Sequence, residues 1–315
     1  MRIESPVKEH QAVDPNQPFA VISHDSGGAE ILSSLLLRQR TSELLVLEGP
    51  AVAIFERKLG AVRPLPLEEA VQRSAWVLSG TSWQSDLEWR ALVRARELGK
   101  PSVAFLDHWI NYKERFLRGG RLCMPDEIWV GDDYAARMAR SQFAGQRVRL
   151  VENPYFDDVR RSFASLQGAA VARRGPSVLL YVTEPMREHG LLHYGDERYF
   201  GYTEEEAVQY FLQNVKFIAS DVARIVIRAH PSEPQRKYTW AREQVSAPLD
   251  ISEGKALIED IAAADVVVGC ESMAMVVAVL GGKRVVSAIP PGGHPCALPQ
   301  AEIELLQDLI RRGTH

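Results

Sequence analysis

Short apolar runs bounded by turn residues recur along almost the whole chain, and amphipathic stretches separate them. Runs spaced this way cannot pair through tight hairpins. A helix lies between successive strands, so the crossovers are right-handed and the sheet is parallel and covered on both faces. Residues 19–23 form the first expected strand, followed by a glycine-containing turn and a helix through about Arg40. Residues 44–47, 75–78, 102–106, 127–130 and 148–151 repeat the strand signature. The clearest helix covers 84–98 and stops at Gly99 and Pro101.

Around residues 167–176 the run Gln-Gly-Ala-Ala-Val-Ala-Arg-Arg-Gly-Pro breaks this pattern and reads as a linker. The alternation then restarts. Strands are expected at 177–182, 224–229, 265–268 and 284–288, and helices at about 203–220, 234–244, 272–280 and 299–312. An apolar stretch at 256–262 falls between them. A chain of 315 residues can bury two cores. The expected fold is therefore α/β, with two Rossmann-like domains, 1–168 and 169–315, facing a cleft. Ligands of open α/β sheets sit beyond the carboxyl ends of the strands, which is where the chemistry is sought.

Composition narrows the partners. With 37 Lys+Arg against 41 Asp+Glu, the formal charge of −4 leaves no basic footprint, and nucleic acid is not an expected partner. Arg160-Arg161, Arg173-Arg174 and Arg311-Arg312 read as solvated helix faces. Cys123, Cys270 and Cys296 lie far apart without a CxxC, which argues against a disulfide framework and a zinc site and for a cytoplasmic setting. Residues 1–18 are polar and unlike a signal peptide. The apolar stretch 261–282 is interrupted by Asp265 and Glu271, so a membrane span is not expected. Peripheral membrane association and oligomerisation stay open, and the apolar segment 301–310 suits packing between domains or subunits.

Six strand ends carry polar or reactive side chains. The first delivers Ser23-His-Asp-Ser-Gly-Gly-Ala-Glu30. Gly27 and Gly28 allow close backbone approach at a helix N-terminus that favours an anion, although this is neither GxGxxG nor a P-loop. His24 and Asp25 stand where a substrate would be reached, and Asp25 either caps the helix or takes a catalytic role. A small polar loop, Ser79-Gly-Thr-Ser-Trp-Gln-Ser-Asp86, follows another strand. Leu106-Asp-His-Trp-Ile-Asn-Tyr-Lys-Glu-Arg115 crowds charges and aromatics without helical or strand period. Asp107 suits a general base there, with His108 beside it in reach of substrate.

In the second half, residues 183–203 read as a long irregular connection bearing Glu184, Arg187, His189 and His193. Another strand ends at Arg228 and runs into His230-Pro231, whose proline fixes the turn and the imidazole position. His230 suits donation of a hydrogen bond or a proton to a phosphate. Farther on, Gly269-Cys-Glu271-Ser272-Met273 joins a buried strand to a helix. Ser272 can cap that helix, its N-terminus can hold a phosphate, and Glu271 suits the nucleoside. Met273 joins this set by position, while methionines at helical spacing fit a core.

The His230-Pro231 turn and the strand–Glu271-Ser272–helix junction resemble the nucleotide half of a GT-B glycosyltransferase. Within that class, a His-Pro motif followed by a Ser motif is similar to bacterial transferases that use cytidine-nucleotide donors. These include sialyl-, polysialyl- and Kdo transferases and the CDP-glycerol polymerases. The loop Glu184-Pro-Met-Arg-Glu-His-Gly-Leu is also similar to the Gln-Pro-Leu-Ser-Glu-Asp-like loop of some sialyltransferase-related families. The resemblance covers about residues 176–290. It implies that His230 and Ser272 bind the donor phosphate and that a carboxylate of the first domain is the base. The chain departs from the sialyltransferase pattern at that base: Asp25-Ser-Gly-Gly is a loose version of the acidic-acidic-Gly triplet, and Asp107-His108 lacks the glycine.

The implied activity is transfer of a sugar, a nonulosonic acid or Kdo among the candidates, from a CMP-sugar donor to a glycan or glycoconjugate acceptor in polysaccharide biosynthesis. Asp107 or Asp25 would deprotonate the acceptor hydroxyl, with Arg228 a further cation on the leaving phosphate and Pro231 shaping its site. Glu184 and Arg187 would bind substrate. No DxD cluster is present, so neither a metal nor another cofactor is expected. Two alternatives share the architecture. One is an enzyme like UDP-N-acetylglucosamine 2-epimerase, or a UDP-sugar hydrolase, using Asp107, Glu114, Glu184, Glu271 and His230. The other is a non-catalytic nucleotide-sugar-binding scaffold.

Overall fold

A computed structural model describes residues 13–39, 43–82, 85–167, 175–234 and 236–313. The chain divides into two compact units, Met1–Tyr155 and Phe156–His315. Most of the expected linker at 167–176 lies outside the described residues, as do the polar N-terminus through residue 12, Trp83, and Gln84 at the expected start of a helix.

Unit 1 begins with β1 (Phe19–Ser23), α1 (Ser26–Gln39), β2 (Glu43–Leu47), α2 (Pro50–Leu59), α3 (Leu67–Arg73), β3 (Trp76–Ser79), α4 (Leu87–Glu97) and β4 (Ser102–Leu106). A short antiparallel ribbon, β5 (Leu117–Arg118) and β6 (Arg121–Leu122), precedes β7 (Glu127–Val130), α5 (Asp133–Gln142) and β8 (Arg147–Leu150), and α6 (Pro154–Gln167) carries the chain into unit 2. The main sheet is parallel throughout, in the order β2-β1-β3-β4-β7-β8. Successive residues of a strand point to opposite faces, and β1 uses both. Phe19 and Val21 join the core formed with Leu32 and Phe55 on one side. Ala20 and Ile22 pack with Ala70, Leu87 and Ala91 on the other. A strand covered twice must be apolar at every position, which is why it reads as a continuous run. Strand order reverses at β1/β3, so the ends of those strands open the crevice a parallel sheet offers to ligands.

Unit 2 runs β9 (Ser177–Val182), α7 (Met186–Tyr194), α8 (Glu204–Gln213), α9 (Val215–Ile218), β10 (Val222–Arg228), β11 (Leu249–Ile251), α10 (Leu257–Ala263), β12 (Val266–Gly269), α11 (Met273–Leu280), β13 (Arg284–Ser287), β14 (Ile303–Leu305) and α12 (Leu306–Gly313). This sheet too is parallel, ordered β11-β10-β9-β12-β13-β14. It is the 3-2-1-4-5-6 order of a doubly wound Rossmann sheet, with its switch point at β9/β12.

Four expectations are corrected here. The stretch after β9 is not irregular, because α7 occupies it. Gly190 weakens the helical signal at its centre, yet a Cβ there would collide with the Asp196 carbonyl, so close packing requires the glycine. The helix expected at 203–220 breaks at Asn214 into α8 and α9. In place of a helix at 234–244 there is a 3₁₀ turn at Thr239–Gln244. The last helix starts only at Leu306, because Ile303–Leu305 pairs with β13 as an edge strand. Among the described residues, no helix is long and apolar enough to cross a membrane.

Candidate functional site

In unit 1 the glycine pair serves the protein's own carboxylate. A Cβ on Gly27 would overlap Asp107 Oδ2, so the Asp107 side chain lies against the N-terminus of α1. A Cβ on Gly28 would stand 3.2 Å from the Gly80 Cα, the approach that brings α1 onto the end of β3. Asp107 Oδ1 accepts from the Thr81 hydroxyl at 3.0 Å and from Arg115 Nη1 at 2.8 Å. Arg115 also reaches Thr81 Oγ1 at 2.8 Å. Both side chains of the ion pair are buried, 8% exposed for Asp107 and 9% for Arg115. The anion expected at this helix end is therefore Asp107 itself, and Gly27 and Gly28 make room for internal partners.

The crowding after Asp107 has a packing cause as well. Trp109, Tyr112 and Phe116 are fully buried, and the Trp109 indole N–H donates to the Asp132 carboxylate at 3.0 Å. His108 Nδ1 accepts from the Trp109 N–H at 3.0 Å. Burial, with Arg115 adding repulsion, pushes the His108 imidazole down to about 4, so it is neutral at physiological pH. Glu114 is exposed on the 3₁₀ turn Glu114–Phe116.

His24 and Asp25 form a separate pair at the end of β1. His24 Nδ1 lies 2.7 Å from Asp25 Oδ1, and each side chain is 21% exposed. The His24 N–H donates to Glu88 Oε1 at 2.7 Å. Glu88 is 4% exposed, and burial, with Asp25 and Asp107 adding repulsion, pushes its acid up to about 8. Glu88 is absent from the residues expected at this site. The available signal was a carboxylate on the stripe of α4 that also buries Ala91, Leu92 and Ala95.

In unit 2, Arg228, His230, Pro231 and Ser272 line one cavity of about 220 Å³, together with Thr183 and Ala274. These residues come from the ends of β9 and β10 and the start of α11. Ser272 caps α11 by accepting the Ala274 N–H at 3.2 Å. The His-Pro turn is tied down by Glu233, a second residue absent from the expected set. Glu233 accepts from the Thr183 hydroxyl, from the His230 N–H at 3.1 Å, from Lys237 at 2.9 Å and from the Tyr238 hydroxyl. Its place three residues after His230 was the signal. His230 Nδ1 lies 2.9 Å from Ser232 Oγ and accepts the Ser232 N–H at 3.3 Å. Burial lowers the His230 imidazole below its ordinary range.

The remaining expected residues are placed differently. Arg228 lies on the cavity wall, but its charge is matched by Asp260 at 2.7 Å, so it is not a free cation for a phosphate. Glu184 accepts the Glu271 N–H at 2.8 Å and so holds the β12–α11 turn, and burial pushes its acid up to about 8. Glu271 accepts the Ala297 N–H at 3.0 Å, and burial raises its carboxyl too. Arg187 pairs with Glu205 at 2.7 Å and borders a second cavity of about 310 Å³ with Glu204, Glu233 and Lys237. Met273 is half-buried at the first turn of α11 and does not line the 220 Å³ cavity. The largest cavity described, about 590 Å³, opens near Val222 and Pro248 at the opposite end of β10.

No protein family and no curated protein matches the chain in sequence. Solved structures do match its fold. The UDP-GlcNAc 2-epimerase from Neisseria meningitidis, bound to UDP-GlcNAc, superposes with a TM-score of 0.60 at 12% identity, covering 94% of this chain and 90% of that one. The UDP-GlcNAc 2-epimerase from Methanocaldococcus jannaschii gives 0.60 at 11% identity, covering 95% and 92%. S. aureus MnaA, in a co-structure with UDP, gives 0.61 at 10%, covering 95% and 87%. At such identity the likeness is one of fold, and the fold is of the GT-B type, two α/β units each built on a parallel sheet.

Proposed function

We propose that the chain is a nucleotide-sugar enzyme whose second unit holds the nucleotide beyond the carboxyl ends of β9 and β10. The observation that carries this reading is the 220 Å³ cavity in which His230, Ser272 and the N-terminus of α11 converge. A helix N-terminus favours a phosphate, and it acts here with a fixed imidazole. Because Nδ1 of His230 accepts the Ser232 N–H, the neutral ring carries its proton on Nε2 and can donate it to a phosphate oxygen. Glu184 and Glu271 fix the turn that presents Ser272.

The reaction read from these groups is glycosyl transfer to a glycan or glycoconjugate hydroxyl. Asp25 and Asp107 are the candidate bases of unit 1. The His-Pro and Ser motifs favour a cytidine donor. A second reading, epimerisation at C2 of UDP-N-acetylglucosamine, draws on the likeness to proteins named for that activity.

Thermal unfolding with CMP, CDP, UDP and UDP-N-acetylglucosamine tests the nucleotide site. A ligand at 100 times its dissociation constant adds about 2.7 kcal/mol. No shift with any of the four sinks the reading. His230→Ala is expected to slow turnover roughly 10²–10³-fold, the usual effect of losing one preorganised donor. A rate within twofold of wild type removes that role. Formation of an isomeric sugar without an acceptor decides for epimerisation.

A further inference from the structure

The turn from His230 to Glu233 separates two cavities of unit 2. His230 and Pro231 line the cavity of about 220 Å³, whereas Ser232, Glu233, Pro234 and Lys237 line the one of about 310 Å³. The turn is closed by its own backbone, since the Glu233 N–H donates to the His230 carbonyl at 2.8 Å. The Glu233 side chain then folds back across it, and its two oxygens serve different partners. Oε2 accepts from the Thr183 hydroxyl and from the His230 N–H at 3.1 Å. Oε1 accepts from Lys237 Nζ at 2.9 Å and from the Tyr238 hydroxyl. Thr183 has a single hydroxyl proton and gives it to Glu233, so its Oγ1 is free to accept the His230 N–H, at 2.9 Å. One carboxylate thus fixes the backbone donor of His230 twice, directly and through Thr183.

Lys237 extends this chain of contacts away from the site. Its Nζ bonds Glu204 as well as Glu233, and Glu205 lies 3.4 Å away. Glu204 is the first residue of α8, and its other oxygen accepts the Arg187 N–H at 2.9 Å. The side chains of Glu233 and Glu204 are 2% and 4% exposed. Burial alone would raise the Glu233 acid, but its hydrogen bonds from Thr183, Tyr238 and Lys237 hold it below its ordinary value, so it is charged at neutral pH. A buried charge held by donors in fixed directions is a rigid mount, because giving up any one of them leaves a polar group unpaired.

We propose that Glu233 and Lys237 are positioning residues for the phosphate site, a relay anchored on Glu204 that fixes the backbone of His230 and with it the imidazole lining the 220 Å³ cavity. The proposal rests on the nucleotide-sugar reading and extends it to residues on the far side of the His-Pro turn. Neither Glu233 nor Lys237 lines the cavity assigned to the phosphate, so both act on a ligand there through His230.

Calorimetric titration of the full chain with CMP and with UDP, at a temperature where each variant is folded, tests the relay. Glu233→Gln keeps the shape and one accepting oxygen but turns an amide toward Lys237. Lys237→Met keeps the aliphatic stem and removes the charge, and because Lys237 is only half-buried it carries the test should Glu233→Gln not fold. Each change is expected to weaken nucleotide binding about tenfold, within the range of coupling inside one network. His230→Ala is expected to weaken it by a similar factor, and in that background each relay substitution should add less than about twofold. Losses that add in full in the double variants mark a general structural role and overturn the proposal. Wild-type affinity in both Glu233→Gln and Lys237→Met overturns it as well, and in either case the nucleotide reading stands. Full affinity in His230→Ala removes the phosphate role of His230 and the relay with it. A wild-type chain that binds neither CMP nor UDP overturns both the reading and the proposal.

Discussion

The two units build the same frame and treat the ends of its strands in opposite ways. In unit 1 the helix N-terminus beside the switch point is already occupied by the Asp107 carboxylate, and Arg115 and Thr81 complete its shell. In unit 2 the carboxylates near the strand ends serve backbone: Glu184 and Glu233 accept N–H groups of the turns, and a cavity remains at His230 and Ser272. A parallel sheet supplies the crevice, but the placement of acidic side chains decides whether that crevice holds an internal ion or is left for a ligand. An overall charge of −4 conceals this division, because charges that neutralise one another inside unit 1 contribute nothing to it.

The filled side of the comparison gives the largest predicted effect. Asp107→Ala leaves the Arg115 guanidinium buried without its counter-charge, and breaking such a pair from one side costs about 3–5 kcal/mol. Urea unfolding at neutral pH measures it. A loss below 1 kcal/mol would mean that water already reaches the pair and that the unit 1 slot is open like that of unit 2.

An effect of similar size, at most about 5 kcal/mol, is a pH dependence lodged in Glu88. Its folded-state acid is raised from 4.5 to about 8, chiefly by burial. The unfolded chain therefore releases this proton first, and stability present in full below pH 4.5 is lost as pH rises through 8. Glu88→Gln removes this contribution, so the variant gains on wild type across that interval and is the more stable protein at pH 8.5. Melting temperatures of the two proteins from pH 5 to 9 settle the point. Parallel curves would show that Glu88 is ionised throughout.

What could be read beforehand divides along physical lines. β1, β4 and β7 were legible because burial on both faces demands unbroken apolar runs. β11 and β14 were not: three residues at or near a sheet edge carry too few side chains to leave a period. That His230 and Ser272 border one cavity was legible because the carboxyl end of a parallel strand delivers the next few residues of the chain to the crevice. The Asp107–Arg115 pair was not, since its eight-residue separation matches neither helix nor strand and depends on a 3₁₀ turn folding back. What lies against Gly27 and Gly28 was not legible for a related reason. A glycine reports close approach without saying what approaches, and here the neighbours are Asp107 and Gly80.

That lesson makes Gly27→Ala a sharper probe of the filled slot than its size suggests. Alanine is favoured over glycine within a helix by up to about 1 kcal/mol, so an open helix end would be stabilised by the change. The added Cβ instead meets the Asp107 carboxylate, and overpacking of this kind costs about 1–3 kcal/mol. A destabilised variant supports occupation by Asp107, whereas a more stable one contradicts it.

The smallest expected stability effect probes the open side. Ser272→Ala removes the cap of α11, and losing such a cap costs about 1 kcal/mol. If the helix end of unit 2 were only a structural terminus, nucleotide binding would change no more than folding does. On the proposed reading the same hydroxyl and the N–H groups behind it face a phosphate, so nucleotide affinity should fall by a factor of about 10, or roughly 1.4 kcal/mol, at a temperature where the variant is fully folded. Calorimetric titration with the nucleotide that gives the largest thermal shift makes the measurement. Unchanged affinity with the expected loss of stability would assign Ser272 to capping alone, and the cavity at His230 would then have to hold its ligand without the α11 terminus.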